Sequence, residues 1–354
     1  MKRYIFFIGT LGSGGAERVV SILSGKMAEK GLNTEVLTYY DYPVFYEMHP
    51  AVKVTAVEKE SGKTSKISNF FWIRNYFKKN AKVVISFLAP FNVMAIAAKL
   101  GKGIPMIVAD RNDPTKVPTN AVVRKLRDFL YMFADGVVLQ TEKNKAYFNR
   151  VVQKKSTIIY NPIDLKDYAG IALNSKKERM IVSAGRLMKQ KNQKLMINAF
   201  ASVLKSYPDY KLVIYGEGPC KKELEEQIKQ LDISENVLLP GSTTELHDKI
   251  KSADIFVLSS DYEGMPNALI EAMCLGIPVI STKVSGATDL IQHRENGLLV
   301  EIDDEDELRH AMLELLENKD KARRMAEKAT ELNEALEVSK IMEQWIHFIQ
   351  LKCQ

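Results

Sequence analysis

Cysteine is sparse in this chain: Cys220, Cys274 and Cys353 stand apart, with no Cys-x-x-Cys pair among them. That spacing argues against a disulfide framework or a zinc site and fits a reducing compartment. Histidine is nearly as thin, with five residues at 49, 247, 293, 310 and 347 that form no ligand cluster, so no metal is expected. Long apolar runs are missing too. The most apolar early stretch, residues 4–8, is broken at Gly9, far too short for a signal-peptide core or a membrane-spanning helix. Solenoid-length repeats and low-complexity segments are absent as well. What remains has a soluble globular balance, 46% hydrophobic and 27% charged, and is expected in the cytosol.

At 354 residues the chain predicts two domains of ordinary size with a cleft between them. Its net charge of +6 is unevenly spread: residues 1–164 hold 25 Lys/Arg against 13 Asp/Glu, and the remainder 25 against 31. The basic first half suggests an anionic partner, nucleic acid or lipid, although lysines dispersed for solubility would give the same count.

Short apolar runs alternate with helical segments, the pattern of parallel strands joined by crossover helices. Strands are predicted at 4–8, 33–38, 53–57, 83–87, 105–109, 136–139 and 156–159, with helices at 16–30, 67–80, 92–100, 121–133 and 143–151. Asn161-Pro-Ile-Asp164 breaks the pattern, and the polar stretch to Lys177 reads as a linker. A second series follows, with strands at 180–184, 211–215, 237–239, 255–258 and 278–282. The tail predicts helices at 305–316, 319–333 and 338–351, the last carrying an apolar packing stripe, Trp345, Ile346, Phe348 and Ile349. The fold class is therefore α/β, with two doubly wound Rossmann-like domains in tandem. Residues 1–165 form the first, 175–335 the second, and 336–354 a helix returning to the first.

Chemistry concentrates in the second half. Asp261-Tyr-Glu-Gly-Met-Pro-Asn-Ala-Leu-Ile-Glu271 places two carboxylates, Glu263 and Glu271, around a Gly-x-Pro-Asn turn that opens a helix. Such a turn aims backbone N–H groups at one point, with the positive helix end behind them, and suits a diphosphate. Acids near a helix start also simply stabilise it, which would account for Glu263. Glu271 lies two turns inside an apolar stretch and wants hydroxyl or amide donors. Gly185-Arg186 with Lys191, and Gly216-Glu-Gly218, bring cations and flexible backbone after two further strands, to the edge where open α/β sheets bind ligands. In the first half, Gly9-Thr-Leu-Gly12-Ser-Gly14-Gly15 follows a strand and opens a helix; its spacing departs from G-x-G-x-x-G.

The segment Glu263-Gly-Met-Pro-Asn-Ala-Leu-Ile-Glu271 is similar to the Glu-x7-Glu motif of retaining glycosyltransferases of family 4, which have the GT-B fold, two Rossmann-like domains facing across a cleft. Gly286-Ala287 and Asn296-Gly297-Leu-Leu-Val300 agree with it. Gly14-Gly15-Ala-Glu17-Arg18 and Arg111-Asn-Asp-Pro114 resemble a subgroup that builds bacterial surface glycans on polyprenyl diphosphate carriers. The resemblance implies that Glu271 binds the donor ribose and that Glu263 holds the donor sugar. It implies that the backbone of Gly264, Met265 and Asn267, with Arg186 and Lys191, binds the diphosphate, and that Gly14 and Gly15 close the site. No metal or other cofactor is implied, the nucleotide sugar being a co-substrate, most simply UDP-linked. Many members carry a histidine after the fifth strand, where this chain has Asp110-Arg111; those two are expected to contact donor sugar or acceptor instead.

The expected partners are a nucleotide-sugar donor, a polyprenyl-diphosphate-linked saccharide and an anionic membrane surface, without nucleic acid, at the inner face of the cell membrane. Arg124, Lys125 and Arg127 interleave with apolar residues at helical spacing and suit such a surface. Val123, Leu126, Leu130 and Phe133 would equally make a core stripe. Three other readings stay open: the same chemistry on a soluble acceptor, an NAD-dependent oxidoreductase, and an inactive nucleotide-sugar-binding module.

Overall fold

The computed structural model describes residues 2–62, 65–164 and 169–353. The chain divides into two compact units, Met1–Pro162 with Val338–Gln354, and Ile163–Glu337. The expected boundary at 165 and part of the expected linker, 165–168, lie outside the described residues.

In the first unit, β1 (Arg3–Ile8), β2 (Thr34–Thr38), β3 (Lys53–Ala56), β4 (Ala81–Phe87), β5 (Met106–Ala109), β6 (Gly136–Leu139) and β7 (Ser156–Ile158) form one parallel sheet. Their order is β3-β2-β1-β4-β5-β6-β7. The helices are α1 (Gly15–Glu29), α2 (Val57–Ser61), α3 (Lys66–Asn80), α4 (Ala89–Lys99), α5 (Ala121–Tyr131), α6 (Glu142–Tyr147) and α7 (Arg150–Lys154). Both sheet faces are buried, which explains strands that read as continuous apolar runs. Phe6 and Ile8 point into one core while Ile5 and Phe7 point into the other, as a two-residue period requires.

The second unit has β8 (Met180–Ala184), β9 (Lys211–Tyr215), β10 (Val237–Gly241), β11 (Ile255–Leu258), β12 (Val279–Thr282) and β13 (Leu298–Val300), ordered β10-β9-β8-β11-β12-β13. Its helices are α8 (Gln193–Val203), α9 (Lys221–Gln230), α10 (Leu246–Ile250), α11 (Asn267–Leu275), α12 (Ser285–Leu290), α13 (Glu305–Glu317), α14 (Lys319–Ala329) and α15 (Leu332–Leu336). Both sheets are doubly wound. The direction of winding reverses between β1 and β4 in the first and between β8 and β11 in the second, and such switch points open ligand crevices at the carboxyl ends of the strands.

The last helix, α16 (Val338–Lys352), belongs to the first unit. Trp345, Phe348 and Ile349 are buried in the core formed by β1, β4 and α1. It lies close over β6: a Cβ at Gly136 would stand 2.8 Å from the Phe348 ring.

Several elements differ from expectation. The helix predicted over 143–151 is two helices: the chain turns extended at Phe148, and Asn149 then caps α7, accepting the Val152 N–H that a continuous helix would have used internally. The helix predicted over 319–333 breaks after Ala329. The short helix α2 and the strand β13 carry no periodicity long enough to announce themselves.

Candidate active site

The second sheet's switch point is lined by the loops after β8 and β11, which are clamped together by polar contacts. Asp261 N donates to Gln190 O at 2.9 Å, Gln190 Nε2 to Tyr262 O at 2.7 Å, and Asn192 Nδ2 to Asp261 Oδ1 at 2.9 Å. The loops after β8 and β9 are nested as closely. Leu187 N donates to Glu217 O at 2.9 Å, and a Cβ on Gly216, whose φ is +149°, would collide with the Gly185 carbonyl oxygen. Gly216→Ala is therefore expected to destabilise the second unit by roughly 3 kcal/mol, read as an earlier urea transition. An unchanged midpoint would mean the loops part easily.

Within this frame Lys191 Nζ forms an ion pair with Glu263 Oε1. The same carboxylate oxygen accepts from Ser260 Oγ at 2.7 Å, and the Ser260 carbonyl in turn accepts from Thr282 Oγ1 at 2.6 Å. Glu263 is thus nearly buried yet held by a cation and a hydroxyl, as a carboxylate withdrawn from water must be. Gly264, Met265 and Pro266 follow. A Cβ at Gly286 would collide with the Gly264 carbonyl, so that glycine lets the turn at 264–266 lie flat on the start of α12. Helix α11 then begins at Asn267, with Pro266 as N-cap and no side-chain cap. One turn in, Glu271 is 2% exposed. The Cys274 thiol is pushed up to about 12 by burial and by the negative charge of Glu271. Arg186, by contrast, is solvent-exposed. Lys191, Glu263, Gly264, Met265, Asn267 and Glu271 therefore share one switch point.

The sequence reading did not single out His247. On α10 its Nε2 lies 3.2 Å from Glu271 Oε2.

In the first unit, Gly14 caps α1 and Gly15 begins it. A Cβ on Gly14 would collide with the Glu17 carboxylate, which folds back over that turn. Asp110 and Arg111 follow β5, but both are enclosed. Asp110 is 1% exposed, accepts from Tyr131 Oη at 3.1 Å and stands 3.8 Å from Arg127 Nη1. Burial raises its carboxyl above the ordinary range, with Arg127 opposing. The Arg111 guanidinium lies 5.0 Å from the Phe87 ring centroid and 5.6 Å from that of Trp345, and donates to Asn161 Oδ1 at 2.8 Å. Burial pushes it down to about 9. As placed, these side chains brace the first unit's interior and do not reach the surface, so the structure lends no support to the direct sugar or acceptor contact expected of them. Glu35, the acid nearest in sequence to where a dinucleotide fold would want one, is likewise internal, bonded by Arg3, Thr55 and Tyr76.

Of the four residues that would make a core stripe along α5, only Leu130 packs against the core. Arg127 is fully buried, donating to the carbonyls of Pro114 and Val117 and to Asp128, while Val122, Val123, Leu126, Phe129 and, just beyond the helix, Phe133 are exposed. Among the described residues no helix is long and apolar enough to cross a membrane, and no group of three or more His, Cys, Asp or Glu side chains converges as a metal site.

Residues 13–167 match the family described as Glycosyltransferase Family 4, and residues 167–332 the family described as Glycosyl transferases group 1. The chain is 30% identical over 358 residues, 99% of its length and 98% of the relative's, to a Campylobacter jejuni GalNAc-alpha-(1->4)-GalNAc-alpha-(1->3)-diNAcBac-PP-undecaprenol alpha-1,4-N-acetyl-D-galactosaminyltransferase. It is 34% identical, over 92% of each chain, to the N-acetylgalactosamine-N,N'-diacetylbacillosaminyl-diphospho-undecaprenol 4-alpha-N-acetylgalactosaminyltransferase of the same organism. Among solved structures, Anabaena Alr3699/HepE in complex with UDP-glucose aligns with a TM-score of 0.85 at 19% identity, covering 98% of this chain and 99% of that one. With two doubly wound parallel-sheet units of GT-B type and a relationship that runs through nearly all its residues, the chain belongs to family 4 of the glycosyltransferases.

Proposed function

We propose that the protein transfers a hexose or N-acetylhexosamine, with retention, from a UDP-linked donor to a polyprenyl-diphosphate-linked saccharide in bacterial surface glycan synthesis. The observation that carries this is the Lys191–Glu263 pair just ahead of α11, with Glu271 buried one turn into that helix. The two Campylobacter jejuni relatives are named for N-acetylgalactosamine transfer onto undecaprenol-diphosphate saccharides, and HepE was solved with UDP-glucose.

In this mechanism Lys191 and Arg186 take the donor diphosphate, with the backbone of Gly264, Met265 and Asn267 completing its cradle. Lys191 moves its charge from Glu263 to the phosphates, which frees Glu263 for a hydroxyl of the sugar. Glu271, steadied by His247, receives the ribose hydroxyls. The bond from the anomeric carbon to the phosphate oxygen breaks as the acceptor oxygen bonds to the same face of that carbon, and the departing phosphate takes the acceptor's proton. Two cations and a helix terminus neutralise the leaving group, so turnover needs no metal. Asp110 and Arg111 position the loop that follows β5 without touching substrate.

The acceptor's lipid places the enzyme on the inner face of the membrane, and α5 is the docking element, apolar outward with Arg124 and Lys125 beside its exposed side chains. Leu126→Glu/Phe129→Glu is expected to lower co-sedimentation with phosphatidylglycerol vesicles at least about fivefold, and wild-type binding weakens as salt rises. Binding indifferent to both changes would remove α5 from this role. The function itself is tested by mass spectrometry of products from a panel of nucleotide sugars, with a polyprenyl diphosphate saccharide and chelator present. A mass increase of one or more sugars supports it, and no product from any donor refutes it.

A further inference from the structure

The segment between β2 and β3 differs chemically from its surroundings. Residues 40–50 include Asp41 and Glu47 but no lysine or arginine, within a half of the chain that is strongly basic. The same stretch holds Tyr40, Tyr42, Phe45 and Tyr46. Tyr42 is 61% exposed and Tyr40 43%, whereas Tyr39 behind them is buried.

These rings are not on a loose loop. Tyr39 N donates to Ile8 O, Tyr40 N to Gly9 O and Phe45 N to Leu11 O, each at 2.9 Å, so the segment is stitched to the glycine loop after β1. Tyr46 Oη adds a bond to Ser13 O at 3.1 Å, and Ser21 Oγ binds Glu47 O at 2.8 Å. The Tyr40 ring meets Tyr39 and Phe91 edge-on, at centroid distances of 4.9 and 6.3 Å. Tyr42 lies beside Gly12, where a Cβ would sit 3.6 Å from its ring. Exposed aromatic side chains are therefore held on the carboxyl edge of the sheet, next to its switch point.

We propose that Tyr40, Asp41 and Tyr42 form the subsite for the saccharide part of the acceptor, resting on the transferase function proposed above. A pyranose ring offers an apolar C–H face and a rim of hydroxyls. A tyrosine ring matches the first by stacking, at little cost in side-chain entropy, and a neighbouring carboxylate accepts from the second. A bilayer is the poorer occupant: an anionic leaflet repels Asp41 and Glu47 and is better met by the cations of α5. The two surfaces divide the acceptor between them, sugar at the acidic tyrosines and carrier at the basic helix.

Steady-state kinetics with a lipid-linked saccharide test the assignment. Tyr42→Ala, and more so Tyr40→Ala/Tyr42→Ala, raise the acceptor KM about tenfold while the donor KM moves less than about twofold, and Tyr42→Phe, which keeps the ring, stays near wild type. Saturation-transfer NMR with an alpha-1,4-linked N-acetylgalactosamine disaccharide gives a signal with the wild type that the double variant loses. An unchanged acceptor KM, no disaccharide signal with the wild type, or a parallel loss of vesicle binding in the double variant each overturn the subsite. If the disaccharide signal is present and tyrosine-dependent but no sugar is ever transferred, the transferase function fails and the saccharide site stands.

Discussion

Lys191→Ala is expected to lower kcat at saturating donor by two to three orders of magnitude, about the effect of removing one preorganised charge-stabilising donor from an active site. The side chain has two tasks that its loss fails together. It neutralises Glu263 in the resting protein, where that carboxylate is 8% exposed and otherwise bonded to Ser260. In the reaction it supplies charge to the leaving diphosphate, a demand that grows as the glycosidic bond stretches, so kcat falls more than the donor KM rises. Lys191→Arg restores only part of the rate. A guanidinium keeps the charge, but its planar fork does not fit where an ammonium is gripped between Glu263 and the Gly185 backbone, whose would-be Cβ lies 3.7 Å from Lys191 Nζ. Quantifying product under single-turnover conditions is the check, and a Lys191→Ala enzyme within tenfold of wild type would show that the diphosphate is held elsewhere.

The second large effect is on stability. Arg127→Met should cost about 3–5 kcal/mol at neutral pH, the range for removing one partner of a buried charge pair. Asp110 would keep Tyr131 as donor but lose the guanidinium 3.8 Å from it, and the carbonyls of Pro114 and Val117 would lose their donor. The pH dependence has a defined sign. Burial raises the Asp110 pKa and Arg127 opposes that rise, so removing the cation raises it further. A carboxyl with a raised folded-state pKa favours the fold when protonated. The deficit therefore opens as pH climbs above the ordinary carboxylate value of about 4 and narrows as pH falls toward it. Urea denaturation at pH 5 and pH 8 measures this, and Arg127→Met/Asp110→Asn should recover much of the loss at pH 8. Equal deficits at both pH values would mean that lost packing, not the stranded carboxylate, dominates.

How much of the site was legible depended on whether its geometry is local. Glu263 and Glu271 are fixed by one turn and the helix it opens, so their spacing alone placed one at the helix head and the other on its buried face. Lys191 follows a strand that the sequence located, and open sheets put such residues at the switch point. His247 escaped because it reaches Glu271 only through topology. The chain must cross from β10, at the sheet's edge, back to β11, and that crossover lays α10 beside α11; no spacing along the chain announces it. Asp110 and Arg111 were expected near substrate because they stand where many family members carry a histidine. Their enclosure depends on distant residues: Tyr131 and Arg127 around Asp110, and over Arg111 the Trp345 ring, delivered by a helix from the far end of the sequence. In α5 the period was legible but left two readings standing, an outward face suited to a membrane and a core stripe. Periodicity identifies two faces without saying which is inside, and a buried arginine with a full set of carbonyl and carboxylate partners decides between them.

The discontinuity of the first unit sets the order in which this polypeptide can fold on the ribosome. Phe87 and Arg111 are made early, yet the indole that covers both is translated only after the entire second unit has been synthesised. Until then the nascent first unit leaves open the trough that α16 will fill, between α1 and β6, with its apolar residues facing water. Domains usually mature in the order of their synthesis; here the one begun first is the one finished last.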